Sequence, residues 1–246
     1  MADRKVALVT GAGKNIGRAV VLGLAQDGFD VVVNGSSDRA AAASVAAEAE
    51  KLGAQALVAM ADVGSPEACA ALAKAALERF GRVDVLVNNA ALRPAQKFLD
   101  ITPADWARVM AVDLEAAVWL SQAVLPGMVE RGWGRIVNFT GMNAIHGYAG
   151  RAPVSVAKHG AWGLTKALAK EFARQGITVN AVSPGPIAAD DEDPAAPGPR
   201  QAYVAKVPSG RMGTTAEVAA VVRMLVSDAG AYVNGQMLQV NGGAET

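Results

Sequence analysis

Thr10-Gly11-Ala12-Gly13-Lys14-Asn15-Ile16-Gly17 joins an apolar run, Val6–Thr10, to a helical pattern, Ile16–Asp27. A strand, a glycine turn and a helix in that order let the chain reverse sharply at the end of the strand. With no Cβ in the way, backbone N–H groups and the positive end of the helix can approach a pyrophosphate. Asn15 stands where a third glycine would be easiest. Asparagine tolerates left-handed backbone better than most residues, so the turn survives, with a side chain projecting close to the phosphates. The same letters would also serve a turn that merely packs a helix on a sheet, so the rest of the chain must decide.

Outward from that turn, short β-branched runs alternate with long helical patterns. The strands are expected at Val6–Thr10, Asp30–Asn34, Gln55–Met60, Val83–Asn88, Arg135–Thr140, Thr178–Val182 and Met237–Val240. Most are apolar at consecutive positions, as parallel strands covered on both faces require. Helices are expected near Ile16–Asp27, Arg39–Leu52, Pro66–Phe80, Pro103–Glu130, Pro153–Arg174 and Thr215–Ser227. Pro66, Pro103 and Pro153 suit first-turn positions, where a missing N–H is harmless. This alternation predicts one α/β domain over residues 1–246, a Rossmann-type doubly wound sheet of seven parallel strands flanked by helices. The acidic, proline-rich stretch Ala189–Pro199 breaks the pattern. It reads either as a solvated surface loop or as a substrate lid, spanning about 188–206.

Composition narrows the partners. The chain has 23 Lys and Arg against 23 Asp and Glu, which argues against nucleic acid or an anionic membrane as the main partner. The N-terminus runs directly into a strand without a signal-peptide core. No apolar run approaches the ~20 residues that span a bilayer. The lone Cys69 reads as a small core filler in a reducing cytoplasm, and no metal is expected.

Further motifs accompany the glycine turn. Asp62-Val63 closes the third strand, and Asn88-Asn89-Ala90-Ala91 follows the fourth. Pro184-Gly185-Pro186-Ile187 follows the sixth. Arg211–Glu217 and Gly235–Gly243 lie near the C-terminus, and Val154-Ser-Val-Ala-Lys158 lies on the fifth helical pattern from the N-terminus. Together, from about Lys5 to Gly243, these resemble the short-chain dehydrogenase/reductase family, particularly its 3-oxoacyl-carrier-protein-reductase-like members. The resemblance implies a nicotinamide dinucleotide held by Gly11, Lys14, Asn15, Ile16, Gly17, Asn34, Ser36, Ser37, Asp62, Val63, Asn89, Ala90, Lys158, Pro184, Gly185 and Ile187. It also implies a small-molecule substrate and a homotetramer or dimer built on the long helices and the C-terminal strand. The small residues Ala157, Gly160, Ala161 and Gly163 would permit close helix approach there, or equally within one chain.

Charge indicates which dinucleotide. Enzymes of this fold that use NAD usually carry an acid at the end of the second strand, which would repel a 2′-phosphate. Here that region reads Val33-Asn34-Gly35-Ser36-Ser37-Asp38-Arg39, with hydroxyls at the tip and Lys14 in the glycine turn. NADP(H) is therefore expected over NAD(H).

The resemblance also locates a reaction centre that departs from the family. Its working set is an Asn, a Ser, a Tyr and a Lys. The matching positions here hold Asp113, Gly141, Val154 and Lys158. A phenol with a pKa near about 10 becomes a usable general acid beside an ammonium, whereas valine cannot titrate. Lys158, one helical turn beyond Val154, can still hold ribose hydroxyls. Asp113 either pairs with Lys158 or sits near solvent. His146 and Tyr148, in the loop before the Lys158 helix, are candidate relocated proton donors or simply loop residues. His159 points to another helix face, and Thr140 falls on the wrong strand face to replace a serine.

Three functions compete. The first is an NADP(H)-dependent oxidoreductase acting on a carbonyl or alcohol through a non-standard centre with Lys158, Tyr148, His146 and Asp113. The second is an NADP(H)-binding protein without redox activity, a sensor or an inactive partner subunit. The third, ranked last, is a non-redox lyase, dehalogenase or isomerase on the same fold.

Overall fold

A computed structural model describes residues 4–190, 204–205 and 207–245. Strands β1 (Val6–Val9), β2 (Asp30–Gly35), β3 (Ala56–Met60), β4 (Val85–Asn88), β5 (Gly134–Phe139), β6 (Ile177–Pro184) and β7 (Met237–Val240) pair in parallel. Their order is β3-β2-β1-β4-β5-β6-β7, the doubly wound topology expected from the alternation. The order reverses between β1 and β4, so a crevice opens where their C-terminal ends diverge.

Burial explains why these runs are strands. In β1, Ala7 and Val9 belong to one apolar core and Val6 and Leu8 to the other. Helices α1 (Asn15–Gln26), α2 (Arg39–Lys51) and α7 (Thr215–Val226) cover the first core. The second lies under α3 (Pro66–Phe80), α5 (Ala116–Arg131) and α6 (Ala152–Phe172). Cys69 lies fully buried in that core, and burial pushes its thiol up to about 11, which suits a filler rather than a nucleophile. At the base of the sheet, buried Asp84 accepts from the Val6 N–H at 2.8 Å and pairs with Arg82 and Arg131. That contact ties the start of β1 to β4.

The expected helix Pro103–Glu130 is not continuous. α4 (Pro103–Met110) passes into a π-helical turn, Ala111–Glu115, before α5 begins. A π turn inserts one residue per turn and re-aims the side chain within it, here Asp113. One expectation about membranes needs correcting. Among the described residues, the helical stretch Pro103–Arg131 is long and apolar enough to cross a bilayer by length and composition. Half of its most apolar window is buried within the protein, as in a core helix. Most of the expected lid, residues 188–206, lies outside the described residues.

Candidate active site

The glycine turn is fixed from three sides. The Thr10 hydroxyl accepts from the N–H groups of Asn89 and Ala90, both at 3.0 Å. The Asn89 amide donates back to the carbonyls of Thr10 and Gly11 at 2.9 and 3.0 Å. Asn34 is buried, and its amide donates to the carbonyls of Ala59 and Ala61 while accepting from the Gly11 N–H. Asn34 and Asn89 therefore shape the turn from behind. Close packing explains two of its glycines. A Cβ on Gly17 would lie 2.3 Å from the Gly11 carbonyl oxygen, and one on Gly11 would lie 2.9 Å from Ala90 Cα. Asn15 adopts φ 50°, the one left-handed non-glycine among the described residues.

The other residues expected to hold a dinucleotide lie at or beyond the C-terminal ends of the strands. Lys14 is exposed at the start of α1, and Ile16 packs against the core. Ser36 and Ser37 are exposed beyond β2, while Asp38 caps α2 by accepting from the Ala41 N–H at 2.9 Å. Asp62 accepts from the Gly64 N–H and pairs with Arg108 of α4 at 2.9 Å. The Arg108 guanidinium, more than that backbone bond, holds its carboxyl below the usual range. Val63 is buried, and its carbonyl accepts from Cys69 Sγ. Pro184 ends β6, Gly185 lies too close to Asn241 to carry a Cβ, and Ile187 bridges to Gly213.

Deeper in the crevice, Lys158 Nζ lies 3.2 Å from Asp113 Oδ2, with both side chains almost wholly buried. The π-helical turn presents Asp113, whose other oxygen accepts from the Leu92 N–H at 2.6 Å. Burial lowers the Lys158 pKa most. Asp113 opposes that shift, and Arg93 adds to the lowering. Beside the pair is a cavity of about 10 Å³ lined by Thr10, Asn88, Asn138 and Phe139 among others, room for about one water-sized sphere. Asn88 donates to Asn138 at 2.8 Å and Asn138 to Thr165 at 2.9 Å, so a polar chain runs beneath the lysine.

The other residues expected at a reaction centre are placed differently. Val154 is buried in a small cluster with Val109 and Ala157, against Met110 and Leu114. Gly141 has φ 73° and ψ 175°, a region open essentially to glycine alone. His146 Nε2 lies 2.5 Å from Glu245 Oε2 in the C-terminal tail, and Tyr148 meets the His146 ring edge-on at 6.3 Å. Neither lines the cavity at Lys158. The His159 ring bonds the Ser155 carbonyl of its own helix, and the Thr140 hydroxyl points to Val182 and Met237. The structure thus joins Asp113 to Lys158 and sets His146 and Tyr148 in the loop above. Two neighbours escaped the sequence reading, Arg93 and Glu245. The first lies two residues beyond the Asn88–Ala91 turn, a signal that was available.

The chain is similar to known proteins along almost its whole length. The model of a family described as enoyl-(acyl carrier protein) reductase matches residues 11–245. Nodulation protein G of Azospirillum brasilense is 40% identical over 241 residues, 98% of each chain. A 3-oxoacyl-[acyl-carrier-protein] reductase of Synechocystis sp. is 40% identical over 240 residues, 97% of this chain and 96% of the other. Among solved structures, acetoin dehydrogenase from Salmonella typhimurium superposes with a TM-score of 0.90 at 36% identity, covering 98% of this chain and 95% of the other. Sheet order, glycine turn and full-length likeness agree: this chain belongs to the short-chain dehydrogenase/reductase family of oxidoreductases.

Proposed function

We propose that the protein binds NADP(H) and interconverts a carbonyl and an alcohol at a reaction centre built on Lys158 and Asp113. The carrying observation is the buried Lys158–Asp113 pair at 3.2 Å, set in the crevice beyond the glycine turn. The residues fit a dinucleotide: Gly11 and Gly17 leave no room for a Cβ at the turn, exposed Ser36 and Ser37 rather than an acid follow β2, and the next residue, Asp38, is bonded to the Ala41 N–H. Lys14, Ser36 and Ser37 would hold a 2′-phosphate, Asp62 and Val63 the adenine, and Ala90, Lys158 and Pro184–Ile187 the nicotinamide half. The bound nicotinamide supplies or accepts the hydride. Lys158 would supply positive charge and donors to it, and Asp113 keeps that charge from being isolated in the interior.

In this reading Gly141 and Val154 occupy the family's serine and tyrosine positions, so a hydroxyl and a phenol are missing. The proton then comes from Tyr148, from His146 or from water. The substrate is a small molecule, as the name acetoin dehydrogenase gives for that structural neighbour. A homo-oligomer, with a tetramer as the specific expectation, follows the family habit, and light scattering would read its mass directly.

The test is fluorescence titration with NADPH and NADH, followed by turnover over a panel of ketones. Tighter NADPH binding, weakened toward NADH levels by Lys14→Ala and Ser37→Asp, is the expected result. Turnover that falls at least tenfold in Tyr148→Phe or His146→Gln would identify the donor. A second reading keeps the cofactor and drops the chemistry, and the apolar packing of Val154 favours it. Tight NADPH binding with no turnover on any carbonyl would leave that reading standing.

A further inference from the structure

The N-terminus of α1 has no local cap. Lys14, at the capping position, makes no side-chain bond there, and the first turn contains no acidic residue. The anion at that helix end comes from 175 residues away: Asp190 Oδ2 accepts from the Asn15 N–H at 2.7 Å. The bond is reciprocated, because the Asp190 N–H donates to Asn15 Oδ1 at 3.1 Å. Thr215, at the start of α7, donates to the other carboxylate oxygen at 3.4 Å. Arg18, one turn along α1, also feels the Asp190 charge. Asn15 makes this clasp from a left-handed conformation, φ 50°.

The N–H groups at this end of α1 are the ones a dinucleotide pyrophosphate would take in the proposed function. Two anions cannot both take the Asn15 N–H, and like charges so close repel each other even at an exposed site. We propose that Asp190 is a built-in competitor for the cofactor. Its carboxylate holds the glycine turn and the α1 N-terminus in the free protein and leaves when the pyrophosphate binds. The inference rests on the nucleotide-binding reading. Its consequence is an apparent affinity reduced by the fraction of molecules in which the clasp is open. Asn15 is the other half of the device, since its side-chain oxygen anchors the Asp190 backbone.

The experiment uses the full chain with Asp190→Asn, Asp190→Ala and Asn15→Gly. NADPH affinity is measured by fluorescence, inorganic pyrophosphate is added as a competitor, and melting is followed without nucleotide. Both Asp190 variants should bind NADPH about tenfold more tightly, a change of about 1.4 kcal/mol. Pyrophosphate should compete more strongly against them than against the parent. The advantage should shrink as salt screens the carboxylate. Asn15→Gly should shift affinity in the same direction. Without nucleotide, Asp190→Ala should melt about 2 °C lower, as expected for a lost helix cap. Unchanged or weaker NADPH binding in Asp190→Asn would overturn the inference, and so would undiminished melting of Asp190→Ala. If every form binds NADPH equally, the nucleotide reading stands and the competitor role alone falls. If no form binds NADPH or NADH, both fall.

Discussion

Lys158 and Asp113 form a buried ion pair at 3.2 Å, their side chains 4% and 0% exposed, and its two halves come from different helical segments. α6 carries the lysine, and the π-helical turn between α4 and α5 carries the carboxylate. Removing one partner leaves an uncompensated charge, at a cost of about 3–5 kcal/mol. Asp113→Asn retains an acceptor for the Leu92 N–H and loses only the charge. Urea unfolding at pH 7 should show it destabilised at the low end of that range, because Lys158 can shed its proton. Adding Lys158→Met should restore most of the loss.

The same pair has a pH signature. Burial holds the Lys158 pKa below 10.5, its ordinary value, so between the two the unfolded chain binds more protons than the folded one. Stability from this group is therefore fully present above 10.5 and is lost as pH falls through the depressed folded value. The difference in unfolding free energy between the parent and Lys158→Met should change in the parent's favour as pH rises through that window. A flat difference from neutral to alkaline pH would remove the depressed lysine from the account.

Two glycines of one turn separate a steric requirement from a permissive one. A Cβ on Gly17 would meet the Gly11 carbonyl at 2.3 Å, whereas one on Gly13 finds the Ala41 Cβ at 3.4 Å, close to ordinary contact. Gly17→Ala should lose about 1–3 kcal/mol and weaken NADPH binding at least tenfold, while Gly13→Ala stays within about 1 kcal/mol of the parent. Parallel melting and NADPH titrations check both. Equal effects at the two sites would show that the turn yields more readily than its contacts imply.

These results show what a sequence can carry. The strands were legible because parallel strands covered on both faces need consecutive apolar residues, and Val31-Val32-Val33 or Val85-Leu86-Val87 read as nothing else so short. The glycine turn was legible because its glycines follow from local geometry. The break at Ala111–Glu115 was not, since an extra residue in a helical turn leaves the apolar periodicity nearly intact. The pairing of Asp190 with Asn15, and of Glu245 with His146, depends on how the folded chain returns upon itself. No local pattern encodes those contacts.

α7 offers a test of a different region. Thr214 and Glu217 form a capping box, and Arg211 grips the Glu217 carboxylate from outside at 2.6 Å. The hydrogen bond from Arg211 leads in pulling Glu217 from 4.5 to about 2, with the Thr214 N–H assisting. The folded value is the lower one, so this stability is present above 4.5 and is lost as pH falls through 2. Both side chains are substantially exposed, and solvent screening reduces the contribution to about 1 kcal/mol. Glu217→Gln should lower stability by that amount at pH 7. The difference from the parent should close toward pH 2.

Positions 154 and 141 carry the last prediction. Val154→Tyr would restore a phenol one helical turn from Lys158, but it must enlarge a site packed against Val109, Met110 and Leu114. Overpacking of that kind costs about 1–3 kcal/mol. Gly141→Ser meets a different obstacle. Space is available, with the Pro184 carbonyl 3.8 Å from a Cβ, but φ 73° with ψ 175° excludes a side chain unless the backbone turns over. That strain is again about 1–3 kcal/mol, and relieving it would move the loop that carries His146 and Tyr148. Val154→Tyr alone should therefore raise NADPH-dependent ketone reduction above the parent. Adding Gly141→Ser should bring a lower melting temperature and little further activity. Stopped-flow oxidation of NADPH with a small diketone, read beside thermal melts, separates the two substitutions. A double variant that is both more active and no less stable would mean that residue 141 turns over without strain.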